Sequence, residues 1–92
     1  MSQASDNSFY YHMEAAYIIV STRLVETAAT ASYAMDVLVQ KDAAFKQDPS
    51  SAEAAAAFQR ADLAYTAAAE ATQKAAELKQ AVVEARIKAC ND

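Results

Sequence analysis

Lys46-Gln47-Asp48-Pro49-Ser50-Ser51-Ala52-Glu53 is the one stretch of this chain in which a helix is made to stop. Pro49 has no backbone N–H, and its ring disfavours the helical conformation at the residue before it, Asp48. Ser50, followed three residues later by Glu53, has the form of a capping box, in which a hydroxyl accepts from a free backbone N–H and a carboxylate reaches back. One helix therefore ends and the next begins within about four residues. A connection that short makes the two helices antiparallel neighbours. Lys41 and Lys46 lie just ahead of the break, where cations favour the negative end of the helix dipole.

Outward from the break, nothing interrupts a helix in either direction. The sequence predicts a single all-α domain over residues 1–92, with a first helix from about 8 to 47, a turn at 48–51 and a second helix from about 51 to 89. Residues 1–7 are small and polar, and Asp6, Asn7 and Ser8 can each cap a helix start. In the first helix a seam recurs at alternating steps of three and four: Tyr10, Met13, Tyr17, Val20, Leu24, Thr27, Ala31, Ala34, Leu38, Lys41, Phe45. It is weak at Thr27 and broken at Lys41. Ile18, Val25, Ala28, Met35 and Val39 widen the stripe on one flank. In the second helix the uninterrupted seam is Ala57, Ala61, Ala64, Ala68, Ala71, Ala75, Leu78, Val82, Ala85 and Ala89. The stripe opposite it, from Gln59 through Glu70 and Glu77 to Asn91, is polar, and Glu70–Lys74 and Glu84–Lys88 have the spacing of helix-stabilising ion pairs. Positions equidistant from the bend then face each other. Tyr17 meets Val82, Leu24 meets Ala75, Ala31 meets Ala68, and Leu38 meets Ala61. Large side chains on one helix meet Ala on the other, which lets two backbones approach closely.

Composition supports the same architecture. The chain has 92 residues, no Gly, one Pro and one Cys. About a quarter of it is Ala, the residue with the best helix propensity, which also buries little apolar area. Tight turns of β and α/β domains need residues that tolerate positive φ, and a chain without Gly is poorly equipped for them. The formal net charge is -4 with the signs interspersed, so there is no basic stripe for nucleic acid and no polybasic membrane patch. The apolar run Ala15–Val20 is far too short for a membrane span, and the N-terminal residues show no cleavable secretion signal. The protein is expected to be cytoplasmic as synthesised.

Candidate chemistry is sparse. His12 has no Cys, Asp or Glu three or four residues away in either direction, so it has no local metal partner. Cys90, alone, forms no internal disulfide; it could link two subunits under oxidising conditions or be incidental. The carboxylates Glu26, Asp36, Glu70, Glu77 and Glu84 lack the Glu-x-x-His pattern of a di-iron bundle. Phosphate loops, dinucleotide fingerprints and nucleophile elbows all require Gly. No catalytic residue, cofactor, metal or small-molecule substrate is predicted. The remaining candidate is a cluster of Phe9, Tyr10, Tyr11 and Met13 near Tyr17, at the open end of the hairpin. It reads either as a partner-docking surface or as the end of an oligomer core.

Two long helices bury only one stripe each. Phe9, Tyr11, Ile18, Ile19, Val37, Phe58, Leu63, Tyr65, Val83 and Ile87 lie off the seams. Small chains with so little private core need a disulfide, a metal or association. Only association is available here, as a four-helix bundle or as a filament. The predicted partner is protein, a second copy first of all.

From Lys46 onward, roughly half the chain resembles the needle subunits of bacterial type III secretion systems. The residues carrying the likeness are Asp48-Pro49-Ser50-Ser51, then Phe58-Gln59, then Tyr65 one heptad later, and the closing run through Val82, Val83 and Ile87. The resemblance implies a short helical hairpin that polymerises and is exported without a cleavable signal peptide. The chain departs from the family pattern at Ala52, close to where a second Pro is common. Its first helix is also longer, its second lacks the family's Asn-rich middle, and its terminal run Lys88-Ala89-Cys90-Asn91-Asp92 is polar.

Overall fold

Without Gly, and with its single Pro at residue 49, the chain has nothing to end a helix except at the bend. The computed structural model, which describes residues 3–91, follows that rule with two α-helices, α1 (Gln3–Gln47) and α2 (Ala52–Asn91). They pack side by side as an antiparallel hairpin, with principal extents of 72 × 17 × 14 Å. The first helix starts earlier than expected. Asp6, Asn7 and Ser8 lie within α1 rather than capping it, because nothing before them breaks the helix. Met1 and Ser2, the first residues of the polar N-terminal tail, lie outside the described residues.

The bend is closed by local hydrogen bonds. The Asp48 N–H donates to the Ala44 carbonyl at 3.2 Å, finishing α1. The Ser51 N–H donates to the Asp48 carbonyl at 3.1 Å across Pro49 and Ser50, a turn with Pro at its second position. The capping residue is Ser51, not Ser50. Its Oγ accepts from the Ala54 N–H at 3.1 Å, and its carbonyl accepts from the Ala55 N–H. Ser50 is held inside the turn, where its hydroxyl donates to Asp48 Oδ1 at 2.9 Å. Glu53 sits in the first turn of α2, and Lys46 and Lys88 in the last turns of α1 and α2, each at the dipole end that favours its charge. Ser51→Ala is expected to destabilise the hairpin by about 1 kcal/mol and Ser50→Ala by less, read from urea midpoints at fixed protein concentration.

The α1 seam forms nearly as expected. Met13, Tyr17, Val20, Leu24, Thr27, Ala31, Ala34, Leu38 and Phe45 are all buried or half-buried. Tyr10 and Lys41 are exposed instead, and Asp42 is drawn inward beside the break, bridged to Lys46 at 2.9 Å.

The α2 seam is rotated. Ala61, Ala68, Ala75 and Val82 face inward as expected, but Ala64, Ala71, Leu78 and Ala85 are exposed. Ala57 and Ala89, at the two ends of the expected seam, are half-buried, and Phe58, Tyr65, Thr72, Lys79 and Arg86, each one residue beyond an expected seam position, are half-buried as well. Phe58 stacks on Phe45, with ring centroids 5.9 Å apart and planes 21° apart. Thr72 satisfies its own hydroxyl by donating to the Ala68 carbonyl at 2.8 Å. Thr27, equidistant from the bend on α1, does the same to the Leu24 carbonyl at 3.1 Å. Both can therefore sit in an otherwise apolar seam.

Among the described residues only Val20, Ala61 and Ala75 are buried outright. The accessible surface is 6738 Å², against about 5,200 Å² for a compact monomer of this mass. The radius of gyration is 20.5 Å, where a compact domain of this length has about 12 Å.

Candidate interaction surface

At the open end the chemistry is arranged around Tyr17. The α2 seam brings Lys79 and Arg86, one heptad apart, to its ring. Lys79 Nζ lies 5.5 Å from the ring centroid and Arg86 Cζ 4.6 Å. Arg86 is also paired with Glu14 on α1. The guanidinium therefore meets an aromatic face and a carboxylate, while its methylene stem covers the seam. These contacts sit partly in solvent and contribute about 0.5–1 kcal/mol each. With the Phe45–Phe58 stack at the other end, they fix the register at both ends of the hairpin.

The predicted aromatic cluster is only partly assembled. Phe9 and Tyr10 meet edge to face at 6.4 Å and 70°, and with Met13 they line a small cavity of about 50 Å³ against Ala89 and Cys90. Tyr11 stands apart. It is 74% exposed and shares a heptad position with Ile18 and Val25 on the flank of α1. Cys90 is a free, exposed thiol, and His12 is exposed. Among the described residues no three His, Cys, Asp or Glu side chains gather closely enough to hold a metal. No described helix is long and apolar enough to cross a membrane.

Of the apolar residues expected off the seams, Val37 on α1 is half-buried, and so are Phe58, Tyr65 and Val83 on α2, which turns its bulkier side chains inward. Phe9, Tyr11, Ile18, Ile19, Leu63 and Ile87 remain exposed. Val25, Tyr33 and Val39 join them, Val25 and Tyr33 at about 70% exposure. The expected ion pairs Glu70–Lys74 and Glu84–Lys88 do not form. Glu84 accepts from Gln80 and Glu77 from Gln73, and the ion pairs among the described residues are Lys46–Asp42 and Arg86–Glu14.

Fold and surface together define an elongated antiparallel helical hairpin with much of its apolar surface uncovered. Comparison with protein-family models, with curated proteins and with solved structures finds no match.

Proposed function

We propose that this chain is a non-enzymatic structural subunit that works by helix packing against copies of itself. The observation that carries the reading is the deficit of private core. Three outright buried residues among those described and a surface some 1,500 Å² larger than that of a compact monomer leave the hairpin short of the burial that stabilises a domain. Exposed apolar side chains occur on both broad sides of the hairpin, with Ile18 and Val25 on one and Ile19 and Tyr33 on the other. Contacts on two sides suit an open helical array. The resemblance of the bend and second helix to type III secretion needle subunits supports the same reading, and with it export without a cleavable signal peptide.

A second reading is a homodimeric cytosolic adaptor or chaperone that closes into a four-helix bundle. What favours it is the partly exposed group of Phe9 and Tyr10 at the open end, suited to docking a partner's helix. Light scattering on the purified chain from about 1 to 100 μM separates them. Particles that grow with concentration are expected for the structural subunit, and a constant dimer supports the adaptor. A stably folded monomer across that range overturns self-association in both forms.

A further inference from the structure

We infer that the first contact between copies is made by one face of the hairpin, the side of α1 bearing Tyr11, Ile18, Val25, Met35 and Val39, and that it pairs antiparallel with the same face of a second copy. The inference rests on the self-association reading and names the surface that reading leaves open.

Tyr11, Ile18, Val25 and Val39 fall on one heptad position, with Ser32 completing the row. Ala28 and Met35 fill the adjacent position towards α2, so the row has the three-and-four spacing of a second coiled-coil seam. From Tyr11 to Val39 it runs about 42 Å at 1.5 Å per residue. These large side chains are 38–74% exposed, although the first seam of the same helix is already covered by α2. Between the helices on this side runs an open groove of about 340 Å³, lined by Ala28, Ala31, Ser32, Met35, Asp36 and Tyr65.

Charge distinguishes this face from the opposite one. From Ile18 to Met35 this side of α1 carries no charged residue. The same side of α2 between Tyr65 and Val83 carries none except Lys79, which lies over Tyr17. The opposite side carries Arg23 and Glu26 on α1 and Arg60, Lys74 and Lys88 on α2. Interface cores are depleted in charge, and a neutral face does not repel its own copy. Orientation follows from the ends of the face. Asp36 and Asp62 lie towards the bend beside the mutually neutralising Asp42–Lys46 pair, and Lys79 lies towards the open end beside the Arg86–Glu14 pair, so the bend end is net negative and the open end net positive. Antiparallel pairing sets carboxylates of one copy near cations of the other, whereas parallel pairing sets like charges together. The face is of adequate size, since a row about 42 Å long on a hairpin 17 Å wide is comparable with the roughly 800 Å² per partner that a standard contact covers.

The test uses the full chain. Val25→Glu is expected to weaken association by about 100-fold or more, so that sedimentation equilibrium gives a mass near 9.9 kDa, while Ile19→Glu on the opposite side still sediments at no less than the mass of a pair of copies. Spin labels on a Cys90→Ser background are expected within about 20 Å of each other for Val25→Cys and about 40 Å apart for Tyr11→Cys. Short distances at both positions overturn the antiparallel arrangement. If Val25→Glu stays assembled while Ile19→Glu dissociates, the contact lies on the other face; the inference falls and self-association stands. A wild-type chain that sediments as a monomer at about 100 μM removes both.

Discussion

Leu24→Asp is expected to abolish most of the helical circular dichroism of both helices and to dissociate the assembly in the same step. Leu24 lies in the middle of the α1 seam and is half-buried between Val20 and Thr27. The Ala75 it is expected to meet is 4% exposed, among the least accessible residues in the hairpin. Removing a core Leu side chain costs about 2–5 kcal/mol where it is fully enclosed, and the half-buried setting here places the loss towards the lower end. The carboxylate adds the desolvation of a charge against an apolar stripe with no cation built to receive it. A small single-core chain rarely has more than about 3–5 kcal/mol in hand, so the sum is enough to reverse the folded population. Both helices should be lost together. α2 has its Ala seam covered only by α1, and helices packed by one stripe draw most of their stability from that packing. Leu38→Asp, expected to face the buried Ala61 nearer the bend, is expected to behave alike. Circular dichroism at 222 nm with sedimentation on the same samples is the measurement. Full helicity and unchanged mass in either variant would show that the seam is misplaced.

The bend and the two long helices were legible because the signals behind them are local and strong. Pro49 removes a donor, and no other residue of the chain opposes a helix. The α1 seam was legible because Met13, Tyr17, Val20, Leu24, Leu38 and Phe45 recur at the three-and-four spacing that a partner helix covers, whereas the row of Tyr11, Ile18, Val25 and Val39 is bulky but one residue wide before Ala28. The α2 seam was less so. An unbroken run of Ala suggests an apolar face, but Ala gains little from burial. Phe58 and Tyr65 cover far more area one residue further on. Lys79 and Arg86 sit at the same heptad position and read as polar. The Tyr17 ring and, for Arg86, the Glu14 carboxylate, both distant in sequence, make their inward placement favourable. Phe58, Tyr65, Thr72, Lys79 and Arg86 do recur at intervals of seven, and weighing side-chain size above polarity would have found them. The cap was displaced by one residue for a similar reason. Ser50 and Ser51 both fit an N-cap, and the choice falls to turn closure, in which Ser50 is held by Asp48.

The predicted docking cluster was the least legible feature. Phe9, Tyr10 and Tyr11 are adjacent in sequence, but successive helical residues point about 100° apart. Phe9 and Tyr10 turn towards the open end, while Tyr11 joins the flank that carries Ile18 and Val25. Adjacency in sequence therefore suggested one surface where the helix makes two.

Exchanging volumes across the seam tests the register more sharply than any single substitution. Leu24→Ala alone is expected to destabilise by about 2 kcal/mol through lost burial and the gap it leaves. Ala75→Leu alone is expected to destabilise by about 1–3 kcal/mol. At 4% exposure Ala75 has no room for three more carbons, and the helices must part locally or the new side chain must leave its preferred rotamer. Neither change alters intrinsic helix propensity much, since Ala and Leu stand near the top of the scale, so the effects report packing. If Leu24 and Ala75 face each other, the double variant restores the original volume in one layer. It should then recover more than half of the summed loss, a coupling of about 2–3 kcal/mol in a double-mutant cycle. The parallel exchange of Leu24→Ala with Ala68→Leu, a full heptad out of register, should show additive losses instead. Urea unfolding of the wild type, the three single variants and the two double variants at one protein concentration supplies the numbers. Additivity between positions 24 and 75 would mean that the helices are staggered by at least one turn, and the contacts Tyr17 makes with Lys79 and Arg86 would then need a different partner layer to hold them.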